Sequence, residues 1–232
     1  MLHAINRSKT TLYHRYLGQR ELGERVTGED EMTSLVFGSL ALLPDAAIFT
    51  FWKELLKKGT QGLAWQGGNP SSVSMTLWPS RRNGIEPDIR VEIIWPNLLR
   101  QVIVVEVKWR SGTLGTNGEQ LSKQWQEYLM PDERATALHV FLGLDISEGI
   151  KAKSAHDAPW SDGQLFLRTW TDVGCAASQL THDLLLCRWA EQVGALLNRL
   201  QITPFSGFVA AQQPQLEGTP LWVFWKNGSD QC

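Results

Sequence analysis

Two stretches decide how this chain is read: Ile85-Glu-Pro-Asp-Ile-Arg-Val-Glu-Ile-Ile94 and Gln101-Val-Ile-Val-Val-Glu-Val-Lys-Trp109. Both are apolar runs of strand length, and both carry ionisable groups that a core does not tolerate unaided. Asp88 opens the first, while Glu106 and Lys108 stand inside the second. Burying an unpartnered carboxylate or ammonium costs several kcal/mol or more, so such groups come with an ion pair, a metal ion or an opening to solvent. The period of two along a strand sorts the residues by face. Val102, Val104, Glu106 and Lys108 share one face, and Ile103, Val105, Val107 and Trp109 the other. In the first run Asp88, Arg90 and Glu92 lie opposite Ile89, Val91, Ile93 and Trp95.

Pro96-Asn97 and the short polar break that follows read as a turn between the two runs. A hairpin there brings Asp88, at the start of one strand, close to Glu106 and Lys108, at the end of the other. Two carboxylates and a neighbouring carbonyl then face a common point, a donor set that suits a hard, oxygen-seeking cation such as Mg²⁺.

Working outward, residues 28–44 read as a helix with acids in its first turn, where the helix dipole favours them, and with Met32, Leu35, Val36, Leu40 and Leu43 at helical spacing. Pro44-Asp45 ends it, and a second helix runs to about Lys58. Residues 73–78 form a candidate strand ahead of the two motif strands. A Gly- and Thr-rich loop over 112–118 leads to a helix over 119–130, stopped by Pro131. Strands are expected over 135–144 and 164–169, and the longest helix over 178–200. The tail has two short apolar runs, 205–210 and 221–225, and a short helix is expected over 13–19 in the basic N-terminal segment. Strands grouped in this way, with helices between and around them, indicate an α/β or α+β domain with a mixed sheet.

Composition excludes several classes. At 232 residues, the chain is read as one domain, with a core over about 29–170, an N-terminal extension over 1–28 and a C-terminal helix and tail over 171–232. A net charge of −2 gives no global basic footprint, so nucleic-acid affinity would have to come from a local groove. Cys175, Cys187 and Cys232 lack metal-ligand spacing, and with no apolar leader and no membrane span the expected setting is a reducing cytoplasm. Eleven tryptophans admit a base-stacking role, but core and rim packing is the reading that aromatic burial favours. His139, within an apolar strand, reads as a core histidine.

Pro87-Asp88, followed by Glu106-Val107-Lys108 on the next strand, resembles the signature of the PD-(D/E)xK nuclease superfamily, whose fold is restriction-endonuclease-like. The resemblance covers about residues 29–145. It implies a mixed central sheet flanked by helices, with Asp88, Glu106 and the Val107 carbonyl holding Mg²⁺, for which Mn²⁺ would substitute. A helix acid ahead of the sheet is also implied, and Glu31 fits that place, with Glu29 and Asp30 as competitors. Lys108 would orient or deprotonate water and stabilise the phosphate. Gln120 or Gln124, on the helix after the motif, would steady a ligand or contact phosphate. The implied activity is metal-dependent hydrolysis of DNA phosphodiester bonds in restriction, phage defence, transposition or repair, by a homodimer or a subunit of a larger complex.

Rival readings of the same residues stand beside these. Asp88 can cap a turn, Glu106 and Lys108 can form a strand-edge ion pair, and acids in a first helical turn are often dipole partners. Glu92 reads as an ion-pair partner of Arg90 or of a cross-strand base. Arg81, Arg82, Arg110 and Lys123 give the surroundings a basic bias suited to phosphate contact or to a solvated loop. The alternative function is a non-catalytic module on the same fold that binds nucleic acid or protein within a larger complex.

Overall fold

The computed structural model describes residues 28–57, 65, 68–109, 117–181 and 183–203. The expected helix over 13–19, the two apolar runs of the tail and Arg110 lie outside the described residues.

The described chain begins with two helices, α1 (Glu29–Leu40) and α2 (Asp45–Lys57). Three strands follow: β1 (Ser72–Leu77), β2 (Ile89–Ile94) and β3 (Arg100–Val107). They form an antiparallel meander in which Ile89 pairs with Val105 and Arg90 with Val104. Helix α3 (Asn117–Lys123) then runs into a π-helical turn over Gln124–Tyr128 and a short α4 (Pro131–Arg134). Strand β4 (Leu138–Gly143), helix α5 (Ser147–Ser154) and strand β5 (Leu165–Thr169) complete a five-stranded sheet in sequential order, with β4 and β5 parallel to β3. Helices α6 (Trp170–Ser178) and α7 (Leu184–Arg199) close the described chain.

The mixed sheet flanked by helices is as the sequence predicts, and so is the division of faces. Ile89, Val91, Ile93, Ile103, Val105 and Val107 pack into the main core with α1, α2, α6 and α7. On the other face Val102 and Val104 pack with Trp125, Tyr128 and Leu129, and Leu121 packs with Phe141 and Ala152. As the middle strand, β3 is covered on both faces and buried from Gln101 to Val107, which accounts for its near-continuous apolar run.

The structure corrects the long C-terminal helix. The expected helix over 178–200 starts only at Leu184, where the Asp183 side chain caps the amide of Leu186 at 2.8 Å. A separate α6 precedes it, nucleated by a capping box in which Thr169 Oγ1 accepts from the Asp172 amide and the Asp172 carboxylate accepts from the Thr169 amide. Helix α7 is part of the main core. Leu186, Trp189, Val193 and Leu197 are buried, and the Trp189 indole donates to the Val36 carbonyl of α1 at 3.1 Å. Helix α5 was not expected from the sequence. Its Gly149 lies so close to Phe141 and Leu167 that a Cβ there would stand 2.7 and 2.6 Å from their side chains.

Candidate metal centre

Continuing the β2–β3 register one step beyond Ile89–Val105 sets Asp88 opposite Glu106. A carboxylate oxygen from each, together with one from Glu29, lies within 4.8 Å of the others. The group forms where the ends of three elements meet: the start of β2, the end of β3 and the first turn of α1.

Each member is held by hydrogen bonds that leave its position little freedom. Asp88 Oδ2 accepts the Val107 amide at 2.7 Å, across the strand pair. Glu29 accepts the Lys108 ammonium through Oε1 and the Trp109 amide through Oε2, both at 3.2 Å. Glu106, almost wholly buried, accepts from Lys108 Nζ, from Gln120 Nε2 at 2.7 Å and from Gln124 Nε2. The end of β3 is itself pinned, since the Lys108 amide donates to the Leu142 carbonyl at 2.7 Å and the Trp170 indole donates to the Lys108 carbonyl at 3.0 Å.

The electrostatics follow from this crowding. Burial first, and then the negative charge of Glu106, push the Asp88 carboxyl well above the usual carboxylate range. Burial also raises Glu106, against the pull of Lys108 and Gln124. For Lys108 burial acts downward, but the charges of Glu106, Glu29 and Asp88 outweigh it and hold the ammonium above its ordinary range. The site therefore gathers three carboxylates around one lysine, and a hard divalent cation would relieve the remaining repulsion. An all-oxygen donor set of this kind fits Mg²⁺ or Mn²⁺. Val107, between Glu106 and Lys108, carries the carbonyl that the sequence resemblance offers as a further ligand.

The sequence-predicted residues divide clearly. Asp88, Glu106, Lys108, Gln120 and Gln124 come together, and the two glutamines both reach Glu106. Glu31 does not join the carboxylate group; Glu29 takes the place expected for it. The Glu31 side chain instead folds back over Gly28, where Oε2 stands 1.8 Å from the position of a Cβ. A signal for Glu29 was present in the sequence. Counting from Glu29, buried Met32, Val36, Phe37 and Leu40 fall at i+3, i+7, i+8 and i+11, on the helical stripe turned to the sheet. Glu31 is off that stripe.

The basic residues are placed less simply. Arg81 is exposed and pairs with Glu86 at 2.9 Å. Arg82 pairs with buried Glu133 at 2.8 Å and lies over the Tyr128 ring, so its charge is already engaged. Lys123 is exposed on α3, one turn beyond Gln120. Glu92 pairs with Arg100 at 2.7 Å and with Arg90 at 3.5 Å, as a structural ion pair. The Asn83-Gly84 turn, with φ of 52° and 79°, has the positive values that favour these two residues in a tight hairpin. Asn83 Nδ2 donates to the Glu127 carbonyl at 2.7 Å and so ties this turn to the π-helical segment that begins with Gln124.

Comparison with protein-family models, with curated proteins and with solved structures finds no match for the chain. Among the described residues, no helix is long and apolar enough to cross a membrane.

Proposed function

We propose that this protein is a Mg²⁺-dependent nuclease that hydrolyses phosphodiester bonds of DNA on a restriction-endonuclease-like fold. One observation carries the reading: the carboxylates of Glu29, Asp88 and Glu106 converge within 4.8 Å, beside the Lys108 ammonium. The order of elements supports it, with a helix, an antiparallel three-stranded meander, a helix and a strand parallel to the last of the three.

In this reading Asp88, Glu106 and Glu29 hold the cation, with the Val107 carbonyl beside them. The cation supplies Lewis acidity, lowering the pKa of water and neutralising charge that develops on phosphoryl oxygens. Lys108 enters as an ammonium, so its part is to donate hydrogen bonds that orient water or a phosphate oxygen. Gln120 and Gln124 hold the Glu106 carboxylate in place. Lys123, exposed one helical turn from Gln120, meets the backbone phosphates of DNA.

The test is incubation with linear and circular DNA, double- and single-stranded, in Mg²⁺, Mn²⁺ or EDTA, beside Lys108→Ala. Metal-dependent cleavage that the variant lacks is the expected result. Affinity for DNA without turnover would favour the non-catalytic module, and cleavage retained by the variant would remove Lys108 from the mechanism.

A further inference from the structure

Behind Glu106 runs a line of buried polar groups whose direction is set by one tryptophan. The Trp160 indole N–H donates to His139 Nδ1 at 3.1 Å. An indole nitrogen can only donate, so Nδ1 must be the unprotonated nitrogen of the ring. The histidine is fully buried, and burial lowers its pKa to about 3, which leaves the imidazole neutral with its one proton on Nε2. That nitrogen lies 3.0 Å from Gln124 Oε1, to which it donates. The Gln124 amide is thereby turned with its NH₂ toward Glu106 Oε2. A carboxylate can only accept, so the far end of the line demands the same orientation of the amide that the near end imposes.

Among the described residues, aromatic rings flank His139. It sits on β4 opposite Val104 and Leu165, with the Trp125 ring stacked at 6.0 Å and 17° and the Trp160 ring at 5.9 Å. A Gln124 amide turned the other way would set its carbonyl against the Glu106 carboxylate, and that carboxylate would be driven from its place beside Asp88 and Glu29.

We propose that His139 and Trp160 are positioning residues, which fix the Gln124 amide so that Glu106 is held in the orientation in which it ligates a divalent cation. The inference rests on the metal-site reading above and adds to it two residues that touch neither metal nor substrate. Changes to groups that orient a metal ligand typically weaken metal binding by about 10–100-fold. Because the present pair acts through Gln124, the expected loss is at the lower end, about tenfold.

The experiment uses the full chain with ¹⁵N-labelled histidine, Mn²⁺ as the probe ion, and the variants Trp160→Phe and His139→Phe. Three quantities are read: the His139 tautomer by NMR, Mn²⁺ affinity by electron paramagnetic resonance, and the melting temperature in EDTA. In the wild type, His139 is expected as the single Nε2–H tautomer. Trp160→Phe should abolish that single tautomer and weaken Mn²⁺ binding about tenfold, and His139→Phe should weaken it at least as much. A pure packing role would lower the melting temperature and leave Mn²⁺ affinity unchanged, which overturns the inference while the metal site stands. Trp160→Phe alone decides the matter if His139→Phe does not fold. Wild-type protein that binds no Mn²⁺ would overturn the metal-site reading and this inference together. Protein that binds Mn²⁺ but cleaves no DNA would end the nuclease reading and leave the inference intact.

Discussion

Replacing Asp88 by Asn should stabilise the protein in EDTA and abolish its response to Mg²⁺. The carboxylate oxygens of Asp88 and Glu106 lie within 4.8 Å, where two unit charges at an effective dielectric of about 20 repel by about 3.5 kcal/mol. Attraction to Lys108 offsets part of this. The Asn side-chain carbonyl can still accept the Val107 amide, and its NH₂ can donate to Glu106, so the net gain should be about 1–2 kcal/mol. For a chain of 232 residues that is a rise of roughly 2–8 °C in Tm.

The gain must also depend on pH in a definite direction. Burial and the Glu106 charge raise Asp88 above its unfolded value of about 3.9. Between the unfolded and folded values the native state binds more protons than the unfolded one, so wild-type stability falls as pH rises through that window. The advantage of Asp88→Asn is therefore absent at low pH, grows through the window and then levels off. Saturating Mg²⁺ should reverse the order, since ligand at about 100 times its Kd adds about 2.7 kcal/mol to a protein that binds it. Thermal melts across pH, in EDTA and in Mg²⁺, give all of these quantities. A variant that melts below wild type at neutral pH in EDTA would refute the repulsion on which the reasoning rests.

Three further substitutions test the frame around the site. Glu133→Ala removes the nearest partner of Arg90 and Arg82, at 2.7 and 2.8 Å, and leaves Arg90 with Glu92 at 3.5 Å as its carboxylate partner among the described residues, so it should cost about 1–3 kcal/mol in urea unfolding. Burial works to raise the Glu133 carboxyl, but the Met130 amide and the two arginines hold it below its ordinary range. Its contribution is thus present above the unfolded value and lost as pH falls through the folded one, and the deficit of the variant should narrow in acid. Gly149→Ala adds a methyl group 2.6–2.7 Å from Leu167 and Phe141, and should destabilise by about 1–3 kcal/mol less the helix-propensity gain of about 1 kcal/mol. An unchanged or raised Tm would mean that these side chains yield. Asp183→Ala removes the cap of α7 and should cost about 1 kcal/mol, read as a fall in the urea midpoint with unchanged slope.

The two motif strands were legible in the sequence because strand geometry is local. Side chains alternate whatever the strand packs against, so the faces of 89–95 and 102–109 could be assigned from spacing, and a turn at Pro96-Asn97 sufficed to bring Asp88 to Glu106. Burial of charge in apolar runs marked the site for the same reason, since its cost depends on surroundings that the run itself supplies. The breaks in the helices were less legible. The start of α7 at Leu184 is marked by one side-chain cap, and the π-helical turn accepts a hydrogen bond from Asn83 of a hairpin 44 residues away in sequence.

First-turn chemistry does not choose among Glu29, Asp30 and Glu31, which suit the helix dipole equally well; only the apolar stripe, on which Glu29 lies and Glu31 does not, marks the choice. The rotation of α1 about its axis decides it, and that rotation is set by how Met32, Val36, Phe37 and Leu40 pack on the far side of the sheet. His139 is the clearest case of the division. Its sequence context determined that it is buried, whereas its link to Glu106 exists only because the π-helical turn, β4 and the loop bearing Trp160 converge. Periodicity follows from bonds between neighbours in the chain; a hydrogen bond between residues 21 or 15 positions apart follows only from the packing of whole elements.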